Sequence, residues 1–115
     1  IETNRHAIDS DEIRDVLDAY RDSYERRDVA SSARLWPGVN KAELSRAFGT
    51  LARQEIDFAE CSLDVAGQRA KARCIGSLQY VRRVGNGSPQ TRSLLWEVEL
   101  DRSSGHWLID RMTAQ

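Results

Sequence analysis

The spacing of apolar residues along the chain changes near residue 54. Before that point apolar side chains recur three or four residues apart, which predicts amphipathic helices; after it they alternate with polar ones, which predicts strands. The alternating segments are separated by turn-forming residues such as Gly67-Gln68 and Ser103-Ser104-Gly105. Helices followed by antiparallel strands are typical of an α+β domain whose helices cover one face of the sheet.

The first helix is predicted to begin at Asp9 or Ser10. Asp9 precedes Glu12 by three residues, which is the spacing of a capping box, and apolar residues then recur at helical intervals for several turns. Residues 1–8 lack this periodicity, so they are predicted to form an irregular leader. Residues 9–115 then form a single domain, since a chain of 115 residues supports one hydrophobic core.

Two shorter helices are predicted before the strands, each with an N-cap residue. Asp28 is the expected cap of a helix that ends near Trp36, where Pro37-Gly38 breaks it. Asn40 is the expected cap of the next helix, with Glu43 in its first turn. Three helices and four strands are therefore expected.

The turn at Gly67-Gln68 predicts the register of the first two strands. Counting outward from a two-residue turn places Cys61 directly opposite Cys74, and strand alternation then places Asp57 on the same face as Cys61. Two buried free thiols are the favoured state of the cysteines, which is consistent with the cytoplasm. A cross-strand disulfide is the alternative, and it would indicate a compartment outside the cytoplasm.

The order of elements resembles the nuclear transport factor two-like superfamily, with Leu35-Trp36 closing the second helix and a final Gly-x-Trp-x-Ile strand formed by Gly105, Trp107 and Ile109. The resemblance implies a cone-shaped α+β fold with three N-terminal helices packed on a curved four-stranded antiparallel sheet. It also implies a ligand pocket between the first helix and the concave sheet face. The superfamily includes SnoaL-like and ketosteroid-isomerase-like enzymes as well as non-catalytic modules fused to bacterial signalling proteins, so the fold does not determine the function.

The side chains expected to face this pocket are almost all apolar or aromatic, and they would either fill the core or line a ligand site. They are Tyr20, Tyr24, Trp36, Phe48, Cys61, Cys74, Tyr80, Trp96 and Trp107. An isomerase or lyase needs an acid or base in the pocket, and the candidates are Asp57 and Asp110, for which a solvated rim position is the favoured interpretation. Tyr20 is a candidate hydrogen-bond donor to a ligand carbonyl, although core packing is the favoured interpretation of this residue.

The outer face of the sheet is the candidate dimer interface. Phe58, Ile75 and Leu95 are apolar residues predicted to lie there, with Glu97 beside them. Apolar groups among polar neighbours suit an interface between proteins. A homodimer through the outer sheet face is therefore predicted.

The function favoured by the sequence is a non-catalytic module for small-molecule binding or for protein association by dimerisation, serving a larger bacterial signalling or regulatory protein. The alternative is a small lyase or isomerase that acts on a hydrophobic molecule by general acid/base catalysis. No cofactor and no metal is expected, because neither histidine has a companion ligand at suitable spacing. The net charge of -1 and the short apolar runs argue against nucleic-acid and membrane partners.

Overall fold

The computed structural model describes the backbone of residues 2–115 and the side chains of residues 7–115. The elements, in chain order, are the helices α1 (Glu2–Glu25), α2 (Val29–Leu35) and α3 (Lys41–Gly49) and the strands β1 (Leu51–Ala66), β2 (Arg69–Arg82), β3 (Gln90–Asp101) and β4 (Leu108–Ala114). The strands form one antiparallel sheet in the order β1-β2-β3-β4. Three helices packed on a four-stranded antiparallel sheet confirm the predicted α+β cone-like fold.

Helix α1 starts at Glu2 and not at Asp9 or Ser10. The prediction of an irregular leader is therefore wrong for residues 2–8, and residue 1 lies outside the described residues. The Asp9 carboxylate is buried, and it accepts hydrogen bonds from Trp107 Nε1 (3.2 Å) and from the Arg102 guanidinium (3.1 Å). Asp9 therefore lies within α1 and does not cap it, and its carboxylate binds residues that are distant in the sequence.

The caps of the two short helices are confirmed. The Asp28 side chain accepts a hydrogen bond from the backbone N–H of Ser31 (3.0 Å), and Asn40 accepts one from that of Glu43 (3.0 Å). The buried hydroxyl groups of Ser23 and Ser32 are hydrogen-bonded to each other at 2.8 Å. This bond links α2 to the end of α1.

The pairing of β1 with β2 changes register at Ala59. The predicted register holds between the turn and Glu60, but Ala59 is bulged, so that Phe58 pairs with Gly76. One extra residue reverses the inward and outward positions of all residues that precede it. Asp57 is consequently exposed on the outer face, while Phe58 points inward against the core.

Cys61 and Cys74 lie directly opposite each other, as predicted. Their sulfur atoms are joined in a disulfide, so the expectation of two free thiols is wrong. The cross-strand position brings the two side chains close together, which the bond requires.

The hydrophobic core lies between α1 and the concave face of the sheet. Helix α1 contributes Ile13, Leu17 and Tyr20. The sheet contributes inward-facing residues of all four strands, together with Trp107 just before β4: Ile56, Ala70, Ala72, Cys74, Leu94, Trp96, Val98, Leu100, Trp107 and Ile109. Within the described part of the chain, no helix is long and apolar enough to cross a membrane.

Candidate functional site

A cavity of about 190 Å³ lies between α1, α2 and the concave face of the sheet. Its helical side is formed by Tyr20 and Tyr24 of α1 and by Trp36 at the end of α2. Its sheet side is formed by inward-facing side chains of all four strands: Ile56, Leu78, Leu94, Trp96, Met112 and Ala114. Cavities of about 150 Å³ with apolar walls accommodate a benzene molecule, so this one suits a single substituted ring.

The aromatic rings of the helical side support one another in tilted and edge-on contacts. The Tyr20 ring lies 6.1 Å from that of Tyr24 and 6.4 Å from that of Trp36, measured between centroids. Phe48 of α3 contacts Tyr24 edge-on at 5.3 Å and supports it from outside the cavity. On the sheet side, Phe58 contacts Trp96 edge-on at 5.1 Å. These contacts hold the rings in defined orientations.

Two phenol groups are the titratable side chains of the cavity wall. Burial raises the pKa of Tyr20 far above its ordinary value, and the neighbouring Tyr24 raises it further. Burial also raises the pKa of Tyr24. Both phenols therefore stay protonated near neutral pH, where they can donate hydrogen bonds to a ligand but cannot serve as bases.

The structure places both predicted catalytic aspartates outside the cavity. Asp57 is exposed on the outer face because of the bulge at Ala59. Asp110 is itself bulged between two paired residues of β4, and its carboxylate contacts the Arg69 guanidinium at 3.4 Å among the exposed charges of the sheet. Neither carboxylate lines the cavity. The bulge turns Asp57 to the outer face, whereas Asp110 directly follows the inward-facing Ile109 and points outward.

Three other groups of predicted pocket residues lie away from the cavity wall. Cys61 and Cys74 form the disulfide. Tyr80 lies beneath the guanidinium of Arg82, whose central carbon is 5.8 Å from the ring centroid. Trp107 is hydrogen-bonded to Asp9, as described above. Of the nine predicted residues, the cavity brings together Tyr20, Tyr24, Trp36 and Trp96.

The predicted dimer interface is only partly on the outer face. Phe58 is covered within the chain by its contact with Trp96, so its assignment to the interface is wrong. Ile75 is 61% exposed, and Leu95, on the same face of the adjacent strand, is half-buried. Glu97 is also on this face, 3.9 Å from Arg73.

Two polar residues beside the cavity were not predicted from the sequence. Gln54 is buried, its Nε2 donates a hydrogen bond to the Tyr24 carbonyl (2.5 Å), and its Oε1 has no partner among the described residues. Arg92 pairs with Leu78, a residue of the cavity wall, on the inward face of β3. Alternation along β3 could have indicated Arg92, since it lies two residues before Leu94. The position of Gln54 depends on the bulge and carried no such signal.

The described residues contain no group of three or more His, Cys, Asp or Glu side chains able to hold a metal ion. The cavity wall itself offers apolar contact, aromatic packing and hydrogen-bond donors, which include the two phenols and the indole groups of Trp36 and Trp96.

The sequence matches no family model and no curated protein sequence, whereas the fold matches many solved structures. A proposed scytalone dehydratase from Novosphingobium aromaticivorans is 13% identical, with a TM-score of 0.86 over 98% of this chain and 87% of that chain. A proposed dehydratase of the NTF2-like family from Streptomyces avermitilis is 12% identical, with a TM-score of 0.84 over 94% and 95% of the two chains. Hexachlorocyclohexane dehydrochlorinase LinA-type3 from Novosphingobium barchaimii is 12% identical, with a TM-score of 0.81 over 100% and 90%. These likenesses show that the chain has the nuclear transport factor two-like fold.

Proposed function

We propose that the protein binds a small, largely apolar molecule that carries a hydrogen-bond acceptor, in the cavity between α1, α2 and the sheet. The observation that supports this proposal is the cavity of about 190 Å³, with three aromatic rings on its helical wall and apolar side chains, Trp96 among them, on its sheet wall. A ring-sized ligand would bury most of its surface there. The protonated phenols of Tyr20 and Tyr24 supply the donors that would orient its acceptor.

A calorimetric titration with 3-phenylpropan-1-ol tests this proposal, because the molecule combines one ring with a hydroxyl oxygen that can accept a hydrogen bond. Leu78→Trp replaces a residue of the cavity wall with a larger one, and Gln79→Trp makes the same change at the adjacent, exposed position. We expect the wild type and Gln79→Trp to bind and Leu78→Trp to lose at least tenfold in affinity. Equal binding by the two variants, with both folded by circular dichroism, would place the ligand elsewhere.

A lyase is the second candidate function, and the comparisons favour it. Solved structures with this fold include two proposed dehydratases and a dehydrochlorinase. Elimination needs a base to remove a proton, and the titratable groups on the cavity wall are the two phenols, whose raised pKa values keep them protonated. A base would therefore have to come from outside the cavity wall.

Solvent exchange distinguishes binding from proton abstraction. 1-Phenylpropan-2-one has the same ring size as the calorimetric probe and acidic hydrogens beside a carbonyl that Tyr20 or Tyr24 could polarise. In deuterium oxide, a binding protein leaves the exchange of these hydrogens at the buffer rate. Exchange that the protein accelerates, and that Leu78→Trp abolishes, would establish the lyase-type chemistry instead.

We also propose that two copies of the chain associate through their outer sheet faces. The face presents Ile75 and Leu95 beside ladders of opposite charge, in which Arg73 lies 3.9 Å from Glu97 and Arg111 lies 4.0 Å from Glu99. A two-fold axis would set the cations of one copy against the anions of the other, so the face is suited to pair with itself.

Sedimentation of the wild type and of two matched variants tests this association. Ile75→Lys introduces a charge into the centre of the apolar patch, whereas Val84→Lys introduces the same charge at an 80% exposed loop position. We expect a dimer for the wild type and for Val84→Lys, and a monomer for Ile75→Lys. A monomeric wild type would contradict the proposal.

A role within a larger bacterial signalling protein stays a prediction from the sequence.

A further inference from the structure

Arg92 is a charged residue placed directly beside the apolar cavity. It pairs with Leu78 across the β2–β3 ladder, and it precedes Leu94 by two residues on the same strand. Both of these neighbours line the cavity. Side chains of paired residues lie about 4.5–5.5 Å apart at their β-carbons, and alternate residues of a strand share a face. The Arg92 side chain therefore leaves the sheet at the edge of the cavity wall.

Strand β3 extends beyond the end of β4 on the side of Arg92. Strand β4 pairs with β3 as far as Ala114 opposite Trp96, and Gln115 exchanges backbone hydrogen bonds with Leu95. In the described structure the edge of β3 opposite β2 has no partner strand beyond that point. Arg92 is exposed there, beside Leu78 and Leu94 of the cavity wall.

The guanidinium of Arg92 forms no ion pair or hydrogen bond with the described residues. The nearest acidic residues along β1, Glu55 and Asp57, are on the opposite face of the sheet, and Glu55 pairs with Arg53 at 3.2 Å. The other arginine on the inward face nearby, Arg82, lies over the Tyr80 ring. Arg92 is thus free to bind an anionic group beside the cavity wall.

We propose that Arg92 selects ligands that carry a carboxylate, so that the ligand class is a small aryl-substituted or alkyl-substituted acid. The apolar body occupies the cavity, and the carboxylate emerges beside Leu78 to accept paired hydrogen bonds from the guanidinium. Arginine suits this role because its planar fork matches the two oxygens of a carboxylate. The inference rests on the proposed binding function and adds its specificity.

Paired probes separate the two proposals. 3-Phenylpropanoate and 3-phenylpropan-1-ol share the ring and the chain length and differ in the charged group. Calorimetric titration of both probes is carried out with the wild type, with Arg92→Gln and with Arg53→Gln. The last variant loses the same charge at the same end of the sheet, but on its outer face.

We expect the wild type and Arg53→Gln to bind the acid at least about tenfold more tightly than the alcohol, as a charge-assisted hydrogen bond implies. Arg92→Gln should reduce affinity for the acid to that for the alcohol and leave the alcohol unaffected. If the alcohol binds and Arg92→Gln does not change the preference, this inference is wrong and the binding function stands. If neither probe binds the wild type, both proposals fail.

Discussion

Gly76 lies so close to the main chain of Asp57 that a β-carbon on it would overlap the Asp57 carbonyl oxygen and come within 3.2 Å of the Ala59 nitrogen. This close approach occurs at the bulge, where two residues of β1 oppose one of β2. Glycine at this position therefore allows the register change that turns Phe58 inward and Asp57 outward. The packing of Phe58 against the core and the exclusion of Asp57 from the cavity therefore both depend on the contact between Gly76 and Asp57.

Gly76→Ala should destabilise the protein by about 3 kcal/mol, because the added methyl group must displace a backbone segment and not a flexible side chain. Urea unfolding measures the change. Gly38→Ala is the matched control, since nothing lies within 4 Å of a β-carbon there, and it should change stability by less than about 0.5 kcal/mol. Equal stabilities for the two variants would contradict the tight packing at the bulge.

Asp9→Ala should cost about 2–4 kcal/mol of stability. The substitution leaves the Trp107 indole N–H and the partly buried Arg102 guanidinium without the carboxylate that both of them contact. Asp11→Ala, at an exposed position one residue beyond Ser10 in the same helix, is the control and should be nearly neutral.

A double-mutant cycle for Asp9 and Arg102 checks the assignment of that loss. Arg102→Ala made in the Asp9→Ala background should cost less than Arg102→Ala in the wild type, by about 1 kcal/mol or more. Additive losses would mean that the two side chains contribute independently.

The Cys61–Cys74 disulfide predicts a reductant-dependent stability. It closes a loop with a sequence separation of 13, and a bridge of that span contributes about 3 kcal/mol, chiefly by restricting the unfolded chain. Dithiothreitol should lower the urea midpoint of the wild type but not that of a Cys61→Ala, Cys74→Ala variant. Two free thiols in a titration of the denatured, unreduced protein would show that the bond is absent.

The buried phenol of Tyr20 predicts a loss of stability at alkaline pH. Its folded-state pKa is raised above the ordinary value of 10.0, so its contribution is fully present below about pH 10. Above that pH the unfolded chain releases the proton that the folded chain retains, and stability falls by up to about 1.4 kcal/mol per pH unit. Phenylalanine at this position removes the effect.

Urea unfolding of the wild type and of Tyr20→Phe at about pH 8, 10 and 11 measures this difference. The free energy of unfolding of the wild type should decrease relative to that of Tyr20→Phe only above about pH 10. A constant difference across this range would contradict the burial of the phenol.

The local signals in the sequence were sufficient for most of the fold. Asp28 and Asn40 cap helices as predicted, because capping depends on a few adjacent residues. The pairing of Cys61 with Cys74 follows from the nearby turn. The start of α1 was missed because Asp9 finds its partners at Trp107 and Arg102, which are distant in the chain.

The site could be predicted only in part, and the bulge at Ala59 explains the errors at Asp57 and Phe58. Alternation was counted through Ala59 as though β1 were regular, which turned Asp57 inward and Phe58 outward. A bulge depends on how neighbouring strands pack, and at Ala59 that packing is made possible by Gly76 on another strand. Helical residues such as Tyr20 were placed correctly, since their periodicity needs no such partner.

A crystal structure of the protein soaked with 3-phenylpropan-1-ol is the most direct measurement of whether the cavity is a binding site. We expect density for the phenyl ring between Tyr24 and Trp36 on one side and Leu78 on the other, with the hydroxyl oxygen within hydrogen-bond distance of a tyrosine phenol. A ring bound outside the cone, or a cavity closed by movement of Trp36 at saturating ligand, would contradict the proposed function.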